Sequence, residues 1–279
     1  MSSSAATTTD HRPRGAARQL EIRRVSKSYT VNERILPVLQ DVSFSVAAGA
    51  FVSIVGASGC GKSTLLRMIV GLDADYRGEI LLDGRSIGGT SLNRGIVFQD
   101  HRLLPWLTLE QNVGLALANL PWPNAEKRDA VHEHIALVGL SGFETVYPHQ
   151  LSGGMAQRAA IARGLVTRPE ILLLDEPLGA LDALTRLRLQ DELLRIWERE
   201  RVTMILVTHD VEEAIYLGDT ILVMRPGPGR VASEIEIDLT EPRDRASLAF
   251  VTLRQRILAE MQTVDPSAVP PPVRLRRAG

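Results

Sequence analysis

Apolar positions in this chain change their spacing along its length, and the changes outline its elements. Leu20, Ile22 and Val25 predict a strand, and Val42-Ser43-Phe44-Ser45-Val46 alternates as a half-buried strand does. Ala50 to Val55 is an apolar run ending in Gly56, the pattern of a buried strand. A Gly-rich turn follows, then a helix through Leu65, Leu66 and Ile69. Ile80-Leu81-Leu82 with Asp83-Gly84 reads as strand and turn, and Gly95 to Gln99 as a further strand.

The middle of the chain takes helical spacing. Thr108 to Asn119 predicts a helix with Thr108 as N-cap and Gln111 completing a capping box. Ala125 to Val138 predicts a second helix, and Ser152 to Thr167 a third that stops before Pro169. Together they suggest a helical subdomain inserted over roughly residues 100–168. Apolar strands then return at Ile171–Leu174, Thr203–Val207 and Thr220–Met224, separated by helices at Ala183–Glu200 and Val211–Leu217. Strands alternating with helices predict an α/β fold whose mostly parallel sheet is covered on both faces. Pro226 to Gly229 predicts a turn, Val231 to Ile237 an edge strand and Arg245 to Met261 a last helix. The expected division is a disordered tail over 1–18, a main domain over 19–242, and a C-terminal helix with a disordered tail over 243–279.

Composition narrows the function. A net charge of −1 gives no general attraction to nucleic acid or anionic lipid. The single cysteine, Cys60, cannot form an internal disulfide. No apolar run approaches the roughly 20 residues that cross a bilayer, and no secretory leader is legible in Met1 to Arg18. The chain is therefore expected in the cytosol, with any membrane role exercised through a partner. Positive charge is almost all arginine, with lysine only at Lys27, Lys62 and Lys127. A retained lysine hints at a task unsuited to the planar guanidinium, although chance placement accounts equally well for any one of them.

Lys62 lies in the most informative stretch. Gly56-Ala57-Ser58-Gly59-Cys60-Gly61-Lys62-Ser63 has the spacing of a phosphate loop between a strand and a helix. Its glycines let backbone N–H groups and the positive helix end face an anion. Lys62 reaches β- and γ-phosphates, Ser63 is placed for Mg²⁺, and Thr64 adds a phosphate hydrogen bond. The plainer reading is a Gly-rich turn that matches by accident. Cys60 in this loop predicts that alkylation blocks ATP binding and that ATP protects the thiol.

Ile171 to Leu174 ends in Asp175 and Glu176. The carboxyl end of such a strand is where open α/β sheets bind ligands. Asp175 would hold Mg²⁺, and Glu176 would orient and deprotonate the attacking water. The alternative is a solvated acidic turn broken by Pro177.

Leu151-Ser152-Gly153-Gly154-Met155, with Gln157 and Arg158, resembles the signature of ABC transporter ATPases. Other stretches match in family order over roughly residues 20–240. Tyr29 resembles the aromatic that stacks on adenine. Gln99 resembles the glutamine joining the catalytic core to the helical subdomain, and a ligand of the metal. Ala180-Leu181-Asp182 resembles the loop between paired subunits. His209, after Val207-Thr208, resembles the switch histidine at the γ-phosphate. Taken singly, Tyr29 could be a strand surface residue and His209 a neighbour of a helix cap. The signature commonly ends in Gln where this chain has Met155. The resemblance implies a P-loop NTPase core of RecA-like form, an N-terminal antiparallel β subdomain and the inserted helical subdomain. It implies an ATPase using ATP and Mg²⁺, paired head to tail as a homodimer or with a related subunit. Ser152, Gly153 and Gly154 of one subunit would then close over the ATP held by the partner.

Val97 to Trp106, Asp175 to Arg186 and Met224 to Gly229 resemble the nitrate/sulfonate/taurine importer branch, nearest to aliphatic sulfonate importers. That implies a two-subunit permease, a solute-binding protein and a place on the cytoplasmic face of the cell membrane. Gln99 to Leu107 is the candidate permease contact, although Leu103, Leu104 and Trp106 could equally pack inside the helical subdomain. Nitrate and taurine import are alternatives within the branch. A soluble ABC ATPase of DNA repair or chromosome structure is disfavoured by the lack of a cysteine-bearing insertion between Lys62 and Asp175 and of any basic patch.

Overall fold

The computed structural model describes residues 18–240 and 242–262. Of the tails expected within 1–18 and 243–279, residues 1–17 and 263–279 lie outside the described residues. In chain order the strands and helices begin with β1 (Leu20–Val31), β2 (Arg34–Val46), β3 (Phe51–Gly56), α1 (Lys62–Val70), β4 (Arg77–Leu82) and β5 (Arg85–Ser86). Then come β6 (Arg94–Val97), α2 (Leu109–Gly114), α3 (Asn124–Leu137), α4 (Gly153–Leu165), β7 (Ile171–Asp175) and α5 (Ala183–Glu200). The described chain closes with β8 (Thr203–Thr208), α6 (Val211–Leu217), β9 (Thr220–Arg225), β10 (Arg230–Glu236) and α7 (Leu248–Gln262).

Two compact units divide these elements. One holds Val46–Ala50 and Thr90–Met204; the other holds Glu21–Ser45, Phe51–Gly89 and the chain from Ile205 onward. In the second unit β2, β1, β4 and β5 form a sheet in that order. Asn32 and Glu33, with φ of 49° and 62°, make the two-residue turn between β1 and β2. Two central residues at positive φ twist a hairpin with the right hand. The other sheet of this unit has β3 beside β8 on one side and β9 on the other, with β10 outermost. β3 and β9 run parallel, pairing Ile54 with Leu222, and β10 returns antiparallel. Every residue of β3 is buried, as its solid apolar run requires. Phe250 and Ile257 of α7 join Val211, Ala214 and Ile215 of α6 over Val55, Ile221 and Val223.

The first unit pairs β6 with β7 in parallel, Ile96 opposite Leu173. Helices α2, α3 and α4 pack on one another. The expected capping box is present. The Thr108 side chain accepts from the Gln111 N–H, and the Thr108 N–H donates to Gln111 Oε1 at 2.9 Å. The helix is shorter than expected: it stops at Gly114, and Leu115–Leu117 continues as a 3₁₀ turn. Glycine costs roughly 1 kcal/mol against alanine in a helix interior, which favours the change there. α7 starts at Leu248 rather than near Arg245, because the Ser247 hydroxyl accepts from the Phe250 N–H at 3.2 Å.

Candidate functional site

The phosphate loop of the second unit is built by contacts that glycine alone permits. A Cβ on Gly56 would lie 2.5 Å from the Met224 carbonyl oxygen and 2.8 Å from the Cys60 sulfur. Gly61 has φ of 94°, and a Cβ there would meet Leu39 at 2.5 Å. Behind the loop, Gln40 donates to the Gly229 carbonyl at 2.9 Å and Gly229 donates to the Val38 carbonyl at 2.8 Å. Ala57, Ser58 and Gly59 form an exposed rim, whereas Cys60 is buried. α1 opens on Gly61 with no side-chain cap and no acidic residue in its first turn. Such an end suits an anion.

Lys62 is only 5% exposed. Its Nζ donates to the carbonyl of Gly56 at 2.9 Å and of Ala57 at 3.2 Å. The ammonium is thus held over the loop by its own backbone, at the place where phosphate oxygens would compete for it. Cys60 is the thiol expected to respond to alkylation. Burial pushes the thiol upward in pKa, against the opposing charge of Lys62, and shields the sulfur in this conformation.

Tyr29, on β1, is 37% exposed. Its hydroxyl donates to Asp73 Oδ2 at 2.9 Å and also engages the Thr64 side chain, a partner for Thr64 that the sequence did not suggest. His209 is exposed in the two-residue link from β8 to α6. The link is fixed on both sides. Thr208 donates to the buried carboxylate of Glu213, and the Asp210 N–H donates back to Thr208 Oγ1 at 3.0 Å. Asp210 caps α6 by accepting from Glu212 and Glu213.

In the first unit β7 ends on Asp175, and Glu176 follows with φ of 47°. That left-handed conformation costs a non-glycine residue on the order of 1–2 kcal/mol. Strain of this kind concentrates at functional positions. The Gln99 amide and a Glu176 carboxylate oxygen converge on Gly179, lying 3.3 and 3.8 Å from where its Cβ would be. Ser152 caps α4, its hydroxyl accepting from the Met155 N–H at 3.3 Å. That bond uses the backbone of Met155, so the departure from Gln leaves it intact. Gly154 has no room for a side chain, since a Cβ would meet Thr185 at 2.6 Å. Asp182 caps α5, accepting from the Thr185 N–H at 3.0 Å, and this bond draws its carboxyl below the usual range.

Several contacts near these positions have no local signal in the sequence. Gln157 of α4 donates to the Phe98 carbonyl at 3.2 Å, and Arg163 donates to the carbonyls of His101 and Arg102 at 2.7 and 2.8 Å. The signature helix therefore grips the backbone on both sides of Gln99. Buried Asn112 accepts from the Leu104 N–H at 2.7 Å and donates to the carbonyls of Leu104, Leu107 and Thr108. It fixes a loop that buries Leu103 and leaves Trp106 69% exposed. Among the described residues no helix is long and apolar enough to cross a membrane, and no cluster of three or more His, Cys, Asp or Glu side chains forms a metal cage.

A family profile described as ABC transporter matches residues 39–179. The aliphatic sulfonates import ATP-binding protein of Bacillus licheniformis is 49% identical over 248 residues, covering 86% of this chain and 96% of that protein. The protein of the same name from Bacillus subtilis is 47% identical over 86% of this chain and 92% of its own length. Among solved structures, a dimeric ATP-binding cassette in a post-hydrolysis state bound to ADP and Pi is 33% identical. It has a TM-score of 0.69 and covers 79% of this chain and all of that one. The cbiO1 subunit of an ABC transporter complex from Clostridium perfringens is 28% identical, with a TM-score of 0.70, over 78% of this chain and 88% of that one.

Proposed function

Because the chain belongs to the ABC transporter family, as one of its transport ATPases, we propose that it energises import of aliphatic sulfonates through a separate permease. One observation carries the solute class: the high identity to aliphatic sulfonate import proteins along nearly their whole length. The ATPase itself never needs to touch the solute.

The residues take the following parts. Gly56 to Thr64 cradle the ATP phosphates, with Lys62 exchanging its own carbonyl partners for β- and γ-phosphate oxygens. The uncapped start of α1 supports this fit. Tyr29 stacks on adenine. Glu176 orients the attacking water and takes its proton, while His209 contacts the γ-phosphate. Ser63, Gln99 and Asp175 would hold Mg²⁺, and the ion would supply positive charge to offset that of the phosphates. A hydroxyl, an amide and one carboxylate suit an ion that keeps waters and phosphate ligands rather than a protein cage. Ser152, Gly153 and Gly154 close over the ATP of a second subunit, and Asp182 lies in the loop between the pair. Trp106 and its neighbours face the permease. The working assembly is a homodimer, or a pair of related subunits, under a two-subunit permease on the cytoplasmic face of the membrane, fed by a solute-binding protein.

Deleting the gene in its host tests this. Growth is compared with an alkanesulfonate, taurine or sulfate as sole sulfur source, and with nitrate as sole nitrogen source. The expected result is loss of growth on the alkanesulfonate alone. Loss on taurine or nitrate instead would move the solute within the branch, and normal growth on all four would overturn the sulfonate reading.

A further inference from the structure

Lys27 is the unusual cation of the second unit. The residue is only 4% exposed, and its ammonium lies 2.8 Å from Asp73 Oδ1 and 3.3 Å from Asp75 Oδ2 and donates to the Asp75 carbonyl. The same Nζ sits 4.7 Å from the Tyr29 ring centroid, over its face. The other oxygen of Asp73 takes the Tyr29 hydroxyl. Asp73 itself is placed by α1. Gly71 ends that helix in the left-handed region, and the N–H groups of Leu72 and Asp73 fold back onto the Arg67 carbonyl.

We propose that Asp73, anchored by Lys27, is a positioning residue that holds the Tyr29 ring with one face covered by the ammonium and the other presented to the adenine base. The inference rests on the reading of Tyr29 given above. Burial alone would lower the Lys27 pKa, but the Asp73 and Asp75 carboxylates outweigh it and hold the ammonium above its usual range. Asp73 is drawn below its usual range by the bonds from Lys27 and Tyr29, against its own desolvation. The pair is therefore charged throughout the neutral range, and the ring is fixed before nucleotide arrives. Ordering a ring in advance strengthens binding by lowering what binding must immobilise.

The test compares ATP with inorganic tripolyphosphate, which has the phosphates and no base, in the full chain with Mg²⁺. Asp73→Asn and Lys27→Met should each weaken ATP about five- to tenfold, the scale of one ordinary hydrogen bond, with kcat unchanged and tripolyphosphate affinity unaltered. Tyr29→Phe should weaken ATP similarly, and adding Asp73→Asn to it should change little further. Equal weakening of ATP and tripolyphosphate by Asp73→Asn would show a merely structural role and overturn the inference. So would full ATP affinity in both Asp73→Asn and Tyr29→Phe. Tyr29→Ala separates the two readings: if it leaves ATP affinity intact, the adenine assignment itself fails. If it weakens ATP while Asp73→Asn does not, only the role of Asp73 falls.

Discussion

Two helices in this molecule begin at glycine-rich segments, and they begin differently. α1 starts from Gly61 in the left-handed region with no side-chain cap. α4 starts from Ser152 in an extended conformation, with the serine hydroxyl already accepting from the Met155 N–H. The first start leaves its cap to a ligand and is backed by buried Lys62. The second is locally satisfied, so it gains less from an anion and has no lysine of its own behind the cap. That contrast suits a division of labour. In the proposed function one end would bind triphosphate by itself, and the other would add to a nucleotide already held by a second chain.

Glu176→Gln should break the comparison most visibly if it is wrong. Turnover should fall by about 10²–10⁴-fold, the range for losing a general base, while ATP and Mg²⁺ drive the variant into a stable dimer seen by sedimentation. A variant that stays monomeric would remove the reason for a second, weaker helix end. Next come the loop glycines. Gly61→Ala adds left-handed strain and a clash with Leu39, and should cost about 3 kcal/mol in urea denaturation. Gly59→Ala, at φ of 80° with nothing near its Cβ, should cost only about 1–2 kcal/mol. Equal midpoints would mean that the cradle is not braced by Leu39. Ser152→Ala should cost about 1 kcal/mol as a lost cap and weaken ATP-driven dimerisation while sparing ATP binding by the monomer. A drop in monomer affinity would contradict the division of labour.

The smallest effect concerns pH. His134 of α3 is buried, and desolvation lowers its pKa below the ordinary 6.5 despite the bond from Nδ1 to the Ala130 carbonyl. A lowered folded pKa means that the unfolded chain takes the proton more readily. Stability is therefore complete above about pH 6.5 and declines as pH falls towards the folded value. His134→Leu should flatten that decline between pH 7 and 5 in thermal unfolding. An unchanged slope would show that His134 is not its source.

The elements easiest to read in the sequence are those with one-sided or solid patterns. β3, β7, β8 and β9 are apolar runs because both faces are covered, and their bounds came within a residue or two. The first hairpin was harder. Ser28 to Pro37 are all exposed, so no alternation marks the outer halves of β1 and β2, and Asn32-Glu33 lacks the glycine that flags a tight turn. The site divides in the same way. The phosphate loop is legible because its backbone demands are local and glycine alone meets them. The clamp on Tyr29 joins residues 46 apart in the chain through Lys27 and Asp73, and no local pattern encodes such a pairing. The scarcity of lysine was its only trace. The burial of Cys60 was not legible either, because a position in a loop does not reveal which way a side chain points.

The turn at Gly229 has a consequence for how the protein is made. Its α-carbon presses so close to the Cys60 carbonyl that an added Cβ would lie 2.0 Å away, and its backbone bonds to both sides of Leu39. The nucleotide cradle is thus propped by a residue translated long after the loop itself. At roughly 5–20 residues per second, a ribosome needs on the order of ten seconds or more to travel from one to the other. During that interval the nascent chain carries the whole phosphate-loop sequence but not the brace that shapes it. A chain cut short before Gly229 therefore lacks both the close approach at Cys60 and the backbone bonds that flank Leu39.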